Sequence, residues 1–371
     1  MEWLSYRPDA IYVWGDERVR NALSWYRAVM RDEAPAKFMI AKSIPSPENP
    51  STLSLKDLWS LHEKLHAEFE KEWRKAREGG IELRDIKPVE QSYLHVKAEI
   101  AKRMIRRCSF CERKCGVHRD VGQQGFCGLD HNTIVSSYFH HIGEEAPLVP
   151  SGTIFYCGCN FRCVYCQNWE ISQQRPYQGT IVDAVELARI QERLRRMGAR
   201  NINHVGGDPT PNIHTILESM LYVRINVPQI WNSNFYMTLE ATMLLQDVID
   251  LWLPDFKYWS NECAEKLSSA PRYREVVTRN LKIAASSGDI IIRHLILPGH
   301  IECCTKPILR WIAENLPRNK TIVNIMDQYR PEYKVLEEPG KWKSIARRIT
   351  KRELEEALNE ADKLGILHSI V

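Results

Sequence analysis

The 371-residue chain lacks any apolar run approaching the ~20 residues a membrane-spanning helix needs, which excludes an ordinary helical membrane protein. It also lacks a strong charge of either sign. Its 51 basic residues face 47 acidic ones, a net +4, so no polyanion footprint covers the molecule as a whole. The local clusters Lys102-Arg103 and Arg106-Arg107 read as solvated helix faces. No aromatic-basic stripe is present either, and a nucleic-acid partner is therefore not expected. The first residues, Met1-Glu2-Trp3-Leu4-Ser5, show neither the basic nor the apolar segment of a secretory signal, so the expected setting is the cytoplasm. Internal repeats and low-complexity tracts are absent. What remains, 44% hydrophobic and 26% charged residues, is ordinary for a globular chain with a substantial core.

Cysteine is what the chain has in quantity. Seven of its eleven cysteines fall into two close-spaced groups, which in a reducing compartment points to metal binding rather than disulfides. The first group is Cys159-Asn-Phe-Arg-Cys163-Val-Tyr165-Cys166, a C-x3-C-x2-C triplet. Three thiolates on one short loop can hold three corners of an iron–sulfur cube and leave the fourth iron open. An alternative is zinc, with Cys157 as fourth ligand, although this spacing differs from paired zinc knuckles. The second group is Cys108, Cys111, Cys115 and Cys127, a C-x2-C-x3-C-x11-C set with enough thiolates for a closed site. Zinc and a second iron–sulfur cluster both suit it. Cys263, Cys303 and Cys304 carry no recognisable spacing and read as structural or undetermined.

The chain divides into four stretches. Residues 1–107 are expected to form a helical N-terminal region. Proline breaks it within 44–50, and a helix then starts at Ser54, carries Leu58, Leu61, Leu65, Phe69 and Trp73 on one face, and stops at Gly79-Gly80. Residues 108–150 are a cysteine-rich metal module and connection. Residues 151–335 alternate short β-rich runs at 152–156, 201–205, 229–232, 248–253, 290–296 and 320–325 with helical stretches; the helix near 183–197 carries the capping pair Asp183 and Glu186. Such alternation predicts a parallel sheet with helical crossovers, either doubly wound or partly closed, with its site at the strands' C-terminal ends. Residues 336–371 form a helical tail, capped at Thr350 and Glu353.

The triplet, with aromatic Tyr165 before its last cysteine, resembles that of the radical S-adenosylmethionine (radical SAM) superfamily. The longer run from Gly152 to Gln173 is similar to the relatives of pyruvate formate-lyase activating enzyme, of the PflX type, and the resemblance extends over about residues 108–335. It implies an α/β fold: a partial (β/α)6 barrel of the radical SAM type, carrying the helical N-terminal region and the small four-cysteine metal module. It implies a 4Fe–4S cluster on Cys159, Cys163 and Cys166 whose open iron binds S-adenosylmethionine, and reductive cleavage of that cofactor to a 5′-deoxyadenosyl radical for hydrogen abstraction.

Further segments match the family residue by residue. Gly206-Gly207-Asp208 stands where the family has Gly-Gly-Glu, with the acid one methylene shorter. Asn232-Ser233-Asn234 stands where activating enzymes carry an Asp-Thr-Asn-like turn. Asp255-Phe256-Lys257 matches their Asp-Leu-Lys, and Arg293 matches the arginine of their Val-Arg segment, a fork donor suited to a carboxylate or ribose. The resemblance therefore nominates Tyr165, Gly206, Gly207, Asp208, Asn232, Asn234, Asp255, Lys257 and Arg293 as cofactor-binding residues; it nominates no catalytic residue beyond them. Gln328 departs from the family, which tends to have histidine nearby. The implied partners are a reductant such as ferredoxin or flavodoxin, and a glycyl-radical enzyme if the chain is an activating enzyme. Radical modification of a small molecule, peptide or RNA is the alternative activity, and a non-catalytic iron–sulfur or zinc protein is the alternative class.

Overall fold

The computed structural model describes residues 3–368; Met1, Glu2 and Ser369–Val371, at the outer ends of the N-terminal and tail stretches, lie outside it. Six strands coincide with the six β-rich runs: β2 (Ser151–Tyr156), β4 (Ile202–Gly206), β5 (Gln229–Ser233), β6 (Leu251–Pro254), β7 (Asp289–Leu295) and β8 (Thr321–Met326). They are parallel and neighbouring in chain order. Near-continuous burial along β2, β5 and β6 reflects coverage on both faces, as parallel sheets with helical crossovers require.

Three further strands widen this core. β1 (Thr133–His141) pairs antiparallel with β2, β3 (Thr180–Val182) pairs antiparallel with β1, and β9 (Leu367–His368) adds to β8, giving the order β3-β1-β2-β4-β5-β6-β7-β8-β9. Among the described residues the end strands β3 and β9 do not pair with each other, so the barrel is partial. The stretch expected to be only metal module and connection thus contains a nine-residue strand, and the helical tail ends in a short one.

Local signals behave as their chemistry dictates. Ser54 caps the helix Leu55–Arg77 by accepting from Asp57 N–H, and Leu58, Leu61, Leu65, Phe69 and Trp73 are all buried along it. Gly79, at φ +77°, follows its end. Asp183 and Glu186 form a reciprocal capping box on the helix Ala184–Arg196, and Thr350 and Glu353 do so on Lys351–Lys363.

The N-terminal region closes the end of the barrel where the strands begin. Val19, Ala22 and Tyr26, from the helices Glu17–Ala22 and Ser24–Met30, and Leu23 between them pack with Ile230, Leu251, Ile291 and Ile322 near the starts of β5–β8. Polar contacts follow the same route. Trp25 Nε1 and Lys37 N donate to Asp250 at 2.8 and 3.0 Å, and Tyr26 N donates to Asp289 at 2.8 Å. A second buried network joins the helices Leu55–Arg77 and Tyr93–Met104 to the sheet layer: Lys97 pairs with Asp247 at 2.8 Å, and Tyr93 Oη donates to Asp247 at 2.7 Å. The opposite end of the barrel is left open.

Candidate active site

The open end holds a cavity of about 260 Å³ lined by the cysteine loop and by the C-terminal ends of β4–β8. Every nominated cofactor residue of the barrel lines it, among the described residues, and none of its lining comes from residues 3–107. The additional N-terminal region therefore supports the barrel from behind.

The loop Cys157–Cys166 leaves β2 and is fixed at both faces. On one side Arg162 N donates to Ser268 O at 3.0 Å and Val164 N to Leu267 O at 2.9 Å, so the end of the helix Asn261–Ser268 grips the loop. On the other side lie the two glycines. Gly207 N donates to Tyr156 O and Asp208 N to Gly158 O, at 2.8 and 3.0 Å. A Cβ on Gly206, whose φ is +120°, would stand 2.2 Å from Tyr156 N, and one on Gly207 2.1 Å from Gly158 O. These glycines are required where backbone meets backbone. The close approach these glycines permit is made toward the cysteine loop and the strand that leads into it.

Each triplet sulfur has a polar neighbour. Phe161 N–H donates to Cys159 Sγ at 3.3 Å, Ser268 Oγ donates to Cys163 Sγ at 3.0 Å, and Ser172 Oγ lies 3.4 Å from Cys166 Sγ. Donors aimed at sulfur favour thiolate, the form that ligates iron. Burial pushes the Cys163 thiol up to about 11, while the nearby Lys257 ammonium pulls it down. Burial disfavours charge on Lys257 itself, yet Asp255, at 2.8 Å, and the Cys163 and Cys166 sulfurs hold its ammonium above the usual lysine range. The Tyr273 hydroxyl locks this turn, donating to Asp255 O and accepting from Lys257 N. Tyr165 hydrogen-bonds Tyr258, whose hydroxyl lies 2.7 Å from Ser268 Oγ, and its ring meets Tyr329 edge-on.

Asp208 is a strut. Its carboxylate accepts from Thr210 N at 2.9 Å and from Asn234 N at 3.0 Å, tying the turn after β4 to the turn after β5. Asn234 in turn donates to Asn160 Oδ1 at 2.6 Å and lies 3.8 Å from Cys159 Sγ. Asn232 differs: the residue lines the cavity, and its Nδ2 is buried without a partner. An orphaned buried donor calls for an acceptor.

Arg293 is held by two acids. Glu145 receives it bidentately, at 2.6 and 2.7 Å, and Glu144 contacts Nη2. Asn324 also donates to Glu145, and Asn203 to Glu144. Only Nη1 reaches toward the turns, 3.4 Å from Asn232 Oδ1. Two neighbouring carboxylates leave this guanidinium little free charge for a ligand. Sequence reading missed Glu144 and Glu145 because their clamp spans about 150 residues; adjacent acids just before Ala146-Pro147 are too weak a local signal. His294 is satisfied through both nitrogens, to Phe256 O and Thr305 Oγ1, and burial lowers it to about 4, which marks it as structural.

The second cysteine group adjoins the first. Cys108 and Cys127 are buried, Cys111 is half-buried and Cys115 is exposed. Burial pushes the Cys111 thiol far up, and the charges of Cys108, Cys127 and Cys115 push it the same way. Arg119 is fully buried beside them, with Nη1 3.8 Å from Cys108 Sγ and Nη2 unpartnered. A buried cation needs an anionic neighbour, which a metal–thiolate centre supplies. The module touches the triplet loop at several points: Arg113 donates to Asn160 O at 2.9 Å, Arg162 donates to Phe126 O, and Cys127 packs with Cys157.

Comparison with known proteins places this geometry. The family described as "Radical SAM superfamily" matches residues 153–312. Uncharacterized protein MJ0674 of Methanocaldococcus jannaschii is 42% identical over 349 residues, covering 93% of this chain and 98% of that protein. Uncharacterized protein MJ0808 of the same organism is 24% identical, over 63% of this chain and 73% of its own. Among solved structures, Streptococcus suis SuiB bound to precursor peptide SuiA is similar at a TM-score of 0.40 and 13% identity; the match covers 57% of this chain but only 46% of SuiB.

Proposed function

Because the chain belongs to the radical SAM superfamily, we propose that the cavity at the open end of its barrel binds a 4Fe–4S cluster and S-adenosylmethionine and uses them for hydrogen abstraction. The observation that carries this reading is the meeting, in one cavity, of three sulfurs with the Lys257 ammonium and the orphaned Asn232 amide. The donor set fits the cofactors. Cys159, Cys163 and Cys166 would hold three irons, and the missing fourth thiolate leaves one iron for the cofactor's amino and carboxylate groups. Held there, the reduced cluster would supply one electron for cleavage of the sulfonium, the chemistry that yields methionine and a 5′-deoxyadenosyl radical.

The chain's own residues would bind and orient. Asn232 Nδ2 offers the free donor. The Asp255–Lys257 pair stands near the cysteines with one charge of each sign, complementary to an amino-acid zwitterion. Gly206, Gly207, Asp208 and Asn234 hold the two turns against the cysteine loop, and Arg293 holds Asn232 from behind. Tyr165 and Tyr329 form an apolar wall that limits water.

Incubation of anaerobically reconstituted protein with S-adenosylmethionine and dithionite is expected to yield 5′-deoxyadenosine. A fully loaded cluster that yields none would favour a non-catalytic iron–sulfur protein. The proposed setting is cytoplasmic, with ferredoxin or flavodoxin as electron donor; among the described residues no helix is long and apolar enough to cross a membrane. Glycyl-radical activation and modification of a small molecule, peptide or RNA are the finer readings. A glycyl-radical signal appearing on a partner protein would select the first, and deuterium transfer from a labelled small substrate into 5′-deoxyadenosine the second.

A further inference from the structure

Outside the cavity and the four-cysteine module, the fold gathers three more cysteines and a histidine. Cys263 lies in the helix Asn261–Ser268, in the connection after β6. His300, Cys303 and Cys304 lie after β7, where a wide turn, Ile301–Thr305, leads into the helix Lys306–Asn315. One ligand atom from each lies within 4.8 Å of all the others.

The distances select a kind of occupant. Zinc bonds of about 2.3 Å to sulfur and about 2.0–2.1 Å to nitrogen, placed tetrahedrally, separate two sulfurs by about 3.8 Å and a sulfur from a nitrogen by about 3.5 Å. Cys263 Sγ and Cys303 Sγ are 4.0 Å apart, and Cys303 Sγ and Cys304 Sγ 3.8 Å. His300 Nδ1 lies 3.5 Å from Cys263 Sγ and 3.3 Å from Cys303 Sγ. These four separations match edges of a tetrahedron around one ion, and the remaining two, both to Cys304, lie within 4.8 Å.

We propose that Cys263, His300, Cys303 and Cys304 form a third metal site, a mononuclear tetrahedral centre for a zinc-class divalent cation. Binding releases three thiol protons and forms three metal–sulfur bonds and one metal–nitrogen bond, with no electron transferred. The ion joins the connections that follow β6 and β7. Its place gives it a structural purpose: Cys263 is near the start of the helix whose last residues, Leu267 and Ser268, accept from the triplet loop and donate to Cys163. A staple at one end of that helix steadies the cysteine loop at the other.

The test uses the full chain, purified anaerobically, with metal analysis and zinc-edge X-ray absorption. A Cys108→Ser/Cys111→Ser variant removes the competing four-cysteine module. It is expected to keep one zinc per chain, with three sulfurs and one nitrogen around it. Adding Cys263→Ser and Cys303→Ser is expected to remove that one equivalent. Should the multiple variants fail to fold, His300→Cys in the otherwise unaltered chain is expected to keep the same zinc content and lose the nitrogen contribution. Unchanged zinc content after Cys263→Ser and Cys303→Ser, an unaltered spectrum in His300→Cys, or a disulfide found by mass among Cys263, Cys303 and Cys304 would each overturn the proposal. None of these readouts depends on radical chemistry, so they stand whether or not the cavity cleaves S-adenosylmethionine.

Discussion

The two ends of this barrel both bury charge, and they treat it in opposite ways. At the closed end the buried acids and lysines have partners in place. Asp250 accepts from Trp25, Lys37 and Gln229; Lys37 donates to Gln246 O at 2.8 Å and lies 3.9 Å from the Trp73 ring; burial pushes the Asp247 carboxyl up, but Lys97 and His66 together hold it well below its ordinary range. At the open end the Asn232 amide is left without an acceptor, and three sulfurs share one wall with a lysine. Buried groups that are complete in themselves describe scaffolding; buried groups that are incomplete describe a site.

Substitutions can break or sharpen this contrast. The largest expected effect is at the open end: Cys163→Ser should lower 5′-deoxyadenosine formation by more than about 100-fold while the chain still folds, as seen by circular dichroism. Next is the closed end. Lys97→Met removes the ammonium partner of Asp247, leaving it Tyr93 and His66, and should cost about 3–5 kcal/mol in anaerobic urea unfolding, with activity per folded molecule unchanged. If that variant instead lost activity at full stability, the division between the two ends would be wrong.

A smaller effect is predicted for Asn232→Ala. Removing the side chain loses an unpartnered donor and the long Oδ1 contact to Arg293, so stability should fall by about 1 kcal/mol. Losing its hydrogen bond to the bound cofactor should raise the KM for S-adenosylmethionine roughly 10-fold, worth about 1.4 kcal/mol. The smallest effect is a pH dependence. Burial raises Asp289 from 3.8 to about 7 and Asp250 to about 6, against the pull of nearby Lys37 and, at Asp289, Arg77. The folded chain therefore keeps a proton on Asp289 that the unfolded chain has already released. That contribution to stability is full below about pH 4 and is lost as pH rises through 7. Urea midpoints at pH 5 and pH 8 should show wild type losing more stability than Asp289→Asn over this interval.

How much of this was readable in the sequence follows the range of the interaction involved. The six parallel strands were legible because β-rich runs alternate with helical ones, and the stripe from Leu58 to Trp73 because its period is local. Helix caps at Ser54, Asp183 and Thr350 each involve residues three apart. β1 was overlooked although Thr133–His141 is rich in β-branched and aromatic residues, because the cysteines beside it suggested a loop-rich module. The two-residue β9 is too short to leave a pattern. The Glu144–Glu145 clamp on Arg293 and the grouping of Cys263 with His300 and Cys303 are invisible to any local reading, since the fold alone brings those partners together. Arg293, which the family resemblance nominates as a cofactor contact, lines the cavity and also carries two acid partners that no local pattern announces.

The central claim is that the triplet leaves one iron open to the cofactor. Mössbauer spectroscopy of anaerobic, iron-57-loaded protein, with Cys108→Ser/Cys111→Ser introduced to simplify the iron count, tests it most directly. Adding S-adenosylmethionine should shift one iron of four toward a higher isomer shift and leave the other three unmoved. Four irons that stay alike with and without the cofactor would contradict the account.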